Sequence, residues 1–164
     1  KVQVNYREKI EFPIGGAIPK SLISPKIEHD FSIIFGEESK IFLTPIKIKV
    51  YDLREILIEK VRAILTRQGT KARDFIDLYE IEKQKGLKIE DFRKEIQSKV
   101  LAMLKFEKYK ANLQDKITST PAFVLGEEER LIIKPLGKDF SEYTQRATKF
   151  IQQLGNELNK QLKK

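Results

Sequence analysis

Cysteine and tryptophan are absent from this 164-residue chain, and histidine and methionine occur once each. Without thiols there is no disulfide, no thiolate metal centre and no cysteine nucleophile. A single histidine, His29, cannot build a histidine zinc site. Beside Asp30 it invites a base-and-orienter pairing, but no nucleophile is in view for it to serve. Ser21, Ser24 and Ser32 lack the strand–turn–helix context of a nucleophile elbow. No glycine-rich loop runs into Lys-Ser or Lys-Thr, which excludes a P-loop. Gly15-Gly16, set between prolines, reads as a turn. No apolar run reaches the length of a membrane span, and no secretory leader is visible. The expected setting is therefore cytoplasmic, with no membrane partner.

What the chain does have is charge. It carries 32 basic and 24 acidic residues, a net charge of +8. That balance permits a polyanionic partner such as RNA, DNA or a nucleoside triphosphate. The lysines are spread along the whole sequence, and abundant Lys, Glu and Ile also match the surface composition of a thermophile protein. The length suits one domain or two small ones and is sufficient for a real core.

Alternation predicts a strand over 2–12, followed by a punctuated stretch with Pro13, Gly15, Gly16 and Pro19. Residues 31–35 and 39–43 flank Gly-Glu-Glu and predict a hairpin, and 46–52 predict another strand. Residues 1–51 are thus expected to be β-rich and 52–164 helical, an α+β chain. Asp52 and Glu55 form a capping-box-like signal. Leu53, Ile56, Leu57, Val61, Ile64 and Leu65 then recur at helical spacing to Arg67, and Gly69 ends that helix. Thr70 is placed to cap a second helix running to Lys85 before Gly86. A third is expected over 89–108, with Phe92, Ile96, Val100 and Leu104 on one face. Residues 109–140 read as less regular, with 131–136 as a short extended piece. A last helix spans 141–161, striped by Phe140, Tyr143, Ala147, Phe150, Ile151, Leu154 and Leu158.

Charges crowd around the break between the first two helices: Glu59, Lys60, Arg67, Arg73, Asp74 and Asp77. Lys60 and Arg67 share one helix face, and Asp74 and Asp77 share another in a first turn, where the helix dipole favours carboxylates. The bland reading is an ion-paired turn that locks two helices, and spacing alone favours it. The functional reading has Lys60 gripping phosphate oxygens as a mobile point charge, with a carboxylate nearby placing a hydroxyl or a divalent ion.

The order of residues favours the second reading. Val50 to Leu65 (VYDLREILIEKVRAIL), then Arg67, then Arg73 to Tyr79 (RDFIDLY), resembles the carboxy-terminal half of the AbiEii/AbiGii toxin family, nucleotidyltransferases of the polymerase-β-like superfamily. The resemblance is dense over 46–81. It implies that Lys60 and Arg67 bind the nucleotide, that Asp74 is the catalytic or site-organising carboxylate, and that Arg73, Asp77 and Glu59 support it. It implies transfer of a nucleoside monophosphate from an NTP to tRNA, another RNA or a protein, an antitoxin partner, and Mg²⁺. The family's Asp-x-Asp metal pair is missing from this sequence, and the strand 2–12 offers Gln3 and Asn5 where an acid would be needed. None of these residues is therefore assigned as a metal ligand. Mg²⁺ is expected only with an amino-terminal half preceding Lys1, and the start on Lys1 within a strand suggests a fragment. The alternative is a non-catalytic helical module that binds a partner protein or nucleic acid. Lys94, Lys99, Lys105, Lys108 and Lys110, with Phe106 and Tyr109 among them, offer a basic stretch for RNA or simply the outer face of a core helix.

Overall fold

The structure, a computed structural model, describes residues 9–19, 28–40, 45–119 and 135–162, with side chains from residue 32 onward in the second stretch. These residues fall into two compact units. The smaller, residues 13–52, pairs strand β1 (Gly15–Ala17) antiparallel with β2 (Ile48–Val50), Gly16 opposite Lys49. It also holds helix α1 (Glu28–Phe35) and a single 3₁₀ turn, Gly36–Glu38. The larger unit contains residues 9–12 and five helices: α2 (Leu53–Thr66), α3 (Ala72–Lys85), α4 (Arg93–Met103), α5 (Glu107–Thr118) and α6 (Phe140–Leu162).

The β-rich amino-terminal part is therefore slight among the described residues: two strands of three residues beside a mostly helical chain. The expected hairpin is corrected at its first arm, since 31–35 are helical; a short apolar run has no period to separate strand from buried helix. Most of its second arm, 41–43, most of the strand predicted over 2–12, and most of the extended piece 131–136 lie outside the described residues. Gly15-Gly16, expected as a turn, is strand. A Cβ at Gly16 would lie 2.9 Å from Lys47 Cε, so the bare backbone lets the lysine stem pass.

α2 is the central element of the helical unit and touches α3, α4, α5 and α6. Leu57, Ile58, Val61, Ile64 and Leu65 are all buried, whereas Ile56, which the sequence places in the stripe, is 37 % exposed. At about 100° per residue, Ile56 points away from the mean direction of the other five. α3 ends as expected on Gly86, left-handed at φ 69°, whose N–H donates to Glu82 O.

The third predicted helix is broken. A 3₁₀ turn (Ile89–Phe92) leads into α4, which stops at Met103; α5 starts at Glu107, still within the predicted helix, and runs on to Thr118 through the stretch expected to be irregular. No glycine or proline marks this break. Its trace is a phase jump: Ile96, Val100 and Leu104 follow one helical face, but Leu113 lies about two and a half turns further on, on the opposite side of a continued helix. Two helices meet the core where one could not.

α6 follows its predicted span and stripe; Phe140, Tyr143, Ala147, Phe150, Ile151, Leu154 and Leu158 are all buried. Tyr79 meets Phe140 and Tyr143 edge to face, at centroid separations of 5.1 and 5.4 Å. The Tyr143 hydroxyl is buried without a hydrogen-bond partner among the described residues. Burial, with the charge of Glu82, pushes its pKa well up. Tyr143→Phe removes that unsatisfied group and is expected to leave stability unchanged or raise it by up to about 1 kcal/mol. A clear drop in urea midpoint would show that the hydroxyl is satisfied in solution.

Candidate nucleotide site

Helices α2 and α3 are joined by a five-residue turn, 67–71, in which Gly69 takes φ 68°. The turn folds the end of α2 back beside the start of α3 and brings four of the six charged residues together. The Asp74 carboxylate is 2 % exposed as a residue. Its Oδ1 accepts from Lys60 Nζ at 3.2 Å and its Oδ2 from Arg67 at 2.9 Å. Lys60 also donates to Asp77, one turn along α3 and half-exposed. Burial pulls the Lys60 ammonium pKa down, but hydrogen bonds to Asp77 and Asp74 more than offset it, holding it above the ordinary lysine value. Lys60 is thus a firmly protonated cation. It is buried along its stem by α2, whose next residue Val61 is core, and it is 24 % exposed in its side chain.

Two predicted members stand apart. Arg73 is exposed and makes no hydrogen bond or ion pair among the described residues. Glu59 turns to Arg62, one helical turn on, and to Lys99 Nζ at 3.4 Å. Each lies one residue, about 100° of helix, from a residue that does face the site. Thr70 does not cap α3: Lys71 holds the cap position, and no side chain bonds there. Thr70 Oγ1 instead accepts from Lys116 Nζ at 2.7 Å, while Asn112 donates to Thr66 O at 2.8 Å. α5 thus splints both ends of the α2–α3 turn.

A second cluster was not foreseen. Glu55 and Lys99 form an ion pair 1 % exposed at each residue. Glu55 Oε2 accepts the N–H groups of Glu11 and Phe12 at 2.9 and 3.0 Å, and Lys99 donates to Lys9 O at 2.8 Å. The pair clips residues 9–12 to the helical unit. Lys99, counted above in a basic face, lies between Ile96, Val100 and Met103, all buried. A lysine in an apolar stripe is the signal that could have exposed it, because a buried ammonium needs a carboxylate.

The implied Mg²⁺ does not fit the Asp74–Asp77 pair. Both Asp74 oxygens and one of Asp77 are already taken by Lys60 and Arg67, while Mg²⁺ requires free carboxylate oxygens. Among the described residues no three His, Cys, Asp or Glu side chains converge on a metal position. Nor, among them, is any helix long and apolar enough to cross a membrane.

The family model of the nucleotidyl transferase AbiEii toxin of type IV toxin–antitoxin systems matches residues 2–157, most of the chain and far beyond the motifs of 46–81. No curated protein and no solved structure gives a match. The motifs now sit on one turn, with Lys60, Arg67, Asp74 and Asp77 hydrogen-bonded across it, and the match spans nearly every element described. The chain belongs to the AbiEii family of nucleotidyl transferase toxins.

Proposed function

We propose that this chain supplies the phosphate-gripping helical part of a nucleotidyltransferase toxin that moves a nucleoside monophosphate from an NTP to an RNA, such as tRNA, or to a protein acceptor. One observation carries the reading. Lys60 is a protonated, half-buried cation at a rim, tied to one buried carboxylate and one exposed one. An incoming triphosphate competes with the exposed Asp77 for the ammonium, while Asp74, pinned by Arg67, keeps the lysine stem aimed. Asp74 is then the organising carboxylate, Lys60 and Arg67 the nucleotide cations, and Asp77 the displaceable partner. Arg73 and Glu59 support the site from outside the hydrogen-bonded cluster.

Mg²⁺ enters this scheme with acidic residues outside the cluster. Residues 1–51 belong, on the same reading, to the end of a nucleotidyltransferase core, and 52–164 form its helical domain. The toxin acts in the cytoplasm and is opposed by an antitoxin protein.

Two measurements on the purified chain test this. With α-labelled NTPs, Mg²⁺ and total tRNA, the 164 residues alone are expected to label nothing, because the sequence has no Asp-x-Asp pair and no acidic set among the described residues converges to hold the metal that neutralises charge in phosphoryl transfer. Robust labelling that depends on this chain would falsify that expectation. In the second, ATP or GTP is titrated while the Lys60 side-chain signal is followed by NMR. A saturable shift is expected. Indifference to every NTP leaves the alternative, a non-catalytic helical module.

A further inference from the structure

The lysines between 94 and 110, with Phe106 and Tyr109 among them, have no part in the scheme above, and the fold sorts them. Lys99 is core, and Lys110 is half-buried and pairs with Glu107. Lys94, Lys105 and Lys108 are exposed. Lys105 and Lys108 sit where α4 turns into α5, and each immediately precedes an aromatic residue. Phe106 and Tyr109, three apart at the start of α5, meet edge to face with ring centroids 6.1 Å apart. Phe106 is 36 % exposed, and Leu101, in the last turn of α4, is 37 % exposed. The corner is nevertheless fixed. Phe106 N–H donates to Met103 O at 3.1 Å, and Phe106 O accepts from Tyr109 N–H at 3.0 Å, so the ring stands on a closed turn.

α5 leads from this corner to the candidate site. Tyr109 is half-buried against the core. Asn112, three residues on and on the same face, donates to Thr66 O at the end of α2, and Lys116, one turn further, reaches Thr70. Phe106 therefore lies about 9 Å along the helix axis, at about 1.5 Å per residue, from the point where α5 touches the end of α2.

We infer that the α4–α5 corner is a docking surface for single-stranded RNA, the acceptor strand of the proposed transfer. Phe106 stacks on a base with Tyr109 bracing its ring, and Lys105 and Lys108 meet the flanking phosphates. Charge complementarity argues for this occupant: residues 105–110 hold three lysines against one glutamate, and Lys110 neutralises that glutamate. The order cation–aromatic, repeated at 105–106 and 108–109, suits a strand that presents phosphates and bare base faces together. A duplex hides its base faces in the stack, so the ring selects a single strand. The choice of RNA rests on the proposed function; the surface itself does not depend on Lys60.

The test titrates the purified chain into a short fluorescent oligouridylate, and into a duplex RNA of the same length, at several salt concentrations and follows anisotropy. The single strand is expected to bind saturably and about fivefold or more tighter than the duplex. Lys105→Ala with Lys108→Ala, both exposed, is expected to weaken binding about tenfold and to lower the slope of log affinity against log salt by about 1.4, the loss of two phosphate contacts. Phe106→Leu keeps an apolar side chain but no ring face, and is expected to weaken binding about fivefold or more with the salt slope unchanged. Lys149→Ala with Lys160→Ala removes the same charge from exposed positions on α6 and is expected to stay within about twofold of wild type. An equal loss in that α6 pair, equal or tighter binding of the duplex, or wild-type affinity in the corner variants overturns the surface. So does the absence of single-strand binding, which leaves a protein partner as the use of the exposed corner. The NTP titration of Lys60 reads the proposed function separately. If Lys60 responds and the corner fails, only the surface falls; if Lys60 is silent and the corner behaves as expected, only the phosphate grip falls.

Discussion

On the proposed function, replacing Lys60 by alanine where metal-holding acidic residues are also supplied is expected to lower turnover by about a hundredfold or more while the fold survives. The reason lies in where the residue sits. Its neighbours Leu57, Val61 and Ile64 are fully or almost fully buried and hold the stem at the edge of the core, and only the tip reaches the rim. Removing the side chain leaves Asp74 with Arg67 as its remaining cation, which is expected to cost about 1–2 kcal/mol of stability and no more. On the proposed function turnover suffers far more, because the ammonium assigned to the phosphates is gone. Lys60→Arg is expected to restore little: a planar fork cannot replace a compact point charge between two carboxylates and a phosphate. Thermal melts beside NTP turnover separate the two effects, and near-normal turnover by a folded Lys60→Ala enzyme sinks the assignment. The lysine's pKa is raised in the fold. Its contribution to stability is therefore complete below the ordinary lysine pKa and fades only as pH rises through the folded value, leaving neutral pH unaffected.

The largest effect on stability is expected at the other cluster. Glu55→Gln keeps the shape of the side chain but leaves Lys99 buried opposite a neutral amide, and should destabilise the chain by about 3–5 kcal/mol. Lys99→Met should cost a similar amount, now stranding the carboxylate. The paired replacement Glu55→Leu with Lys99→Met removes both charges and is expected to recover much of the loss, the usual behaviour of a buried ion pair. It cannot recover the hydrogen bonds that Glu55 accepts from Glu11 and Phe12. Hydrogen exchange at those two amides should therefore stay fast in the paired variant while α2 regains protection. Chemical denaturation of the three variants decides: single-variant losses below about 1 kcal/mol would mean that the pair contributes no more than a surface bridge.

Much of this protein was legible along the chain wherever the physics is local. Periodicity placed α2, α3 and α6 within a residue or two, because each carries a sustained apolar stripe against a core. Gly69 and Gly86 marked the ends of α2 and α3, since both need the left-handed conformation. The ordered pattern from Val50 to Tyr79 sufficed to suggest the family that the model match then extended to residues 2–157.

The tertiary structure decided what depends on partners far away in sequence. Residues 31–35 were expected as a strand and are helical, because a short apolar run satisfies both periods. The α4–α5 break follows from where the core lies, with no breaker residue to announce it. Arg73 and Glu59 share a neighbourhood with the site in sequence and leave it by one residue of helical rotation. Thr70 is a good cap by composition, yet its hydroxyl went to Lys116, 46 residues further on. Lys99 looked like solvated charge until packing buried it on Glu55, 44 residues back. Local spacing determines which way a side chain faces along its own helix; only the assembled core determines what it meets there, and a charged group's role is set by what it meets.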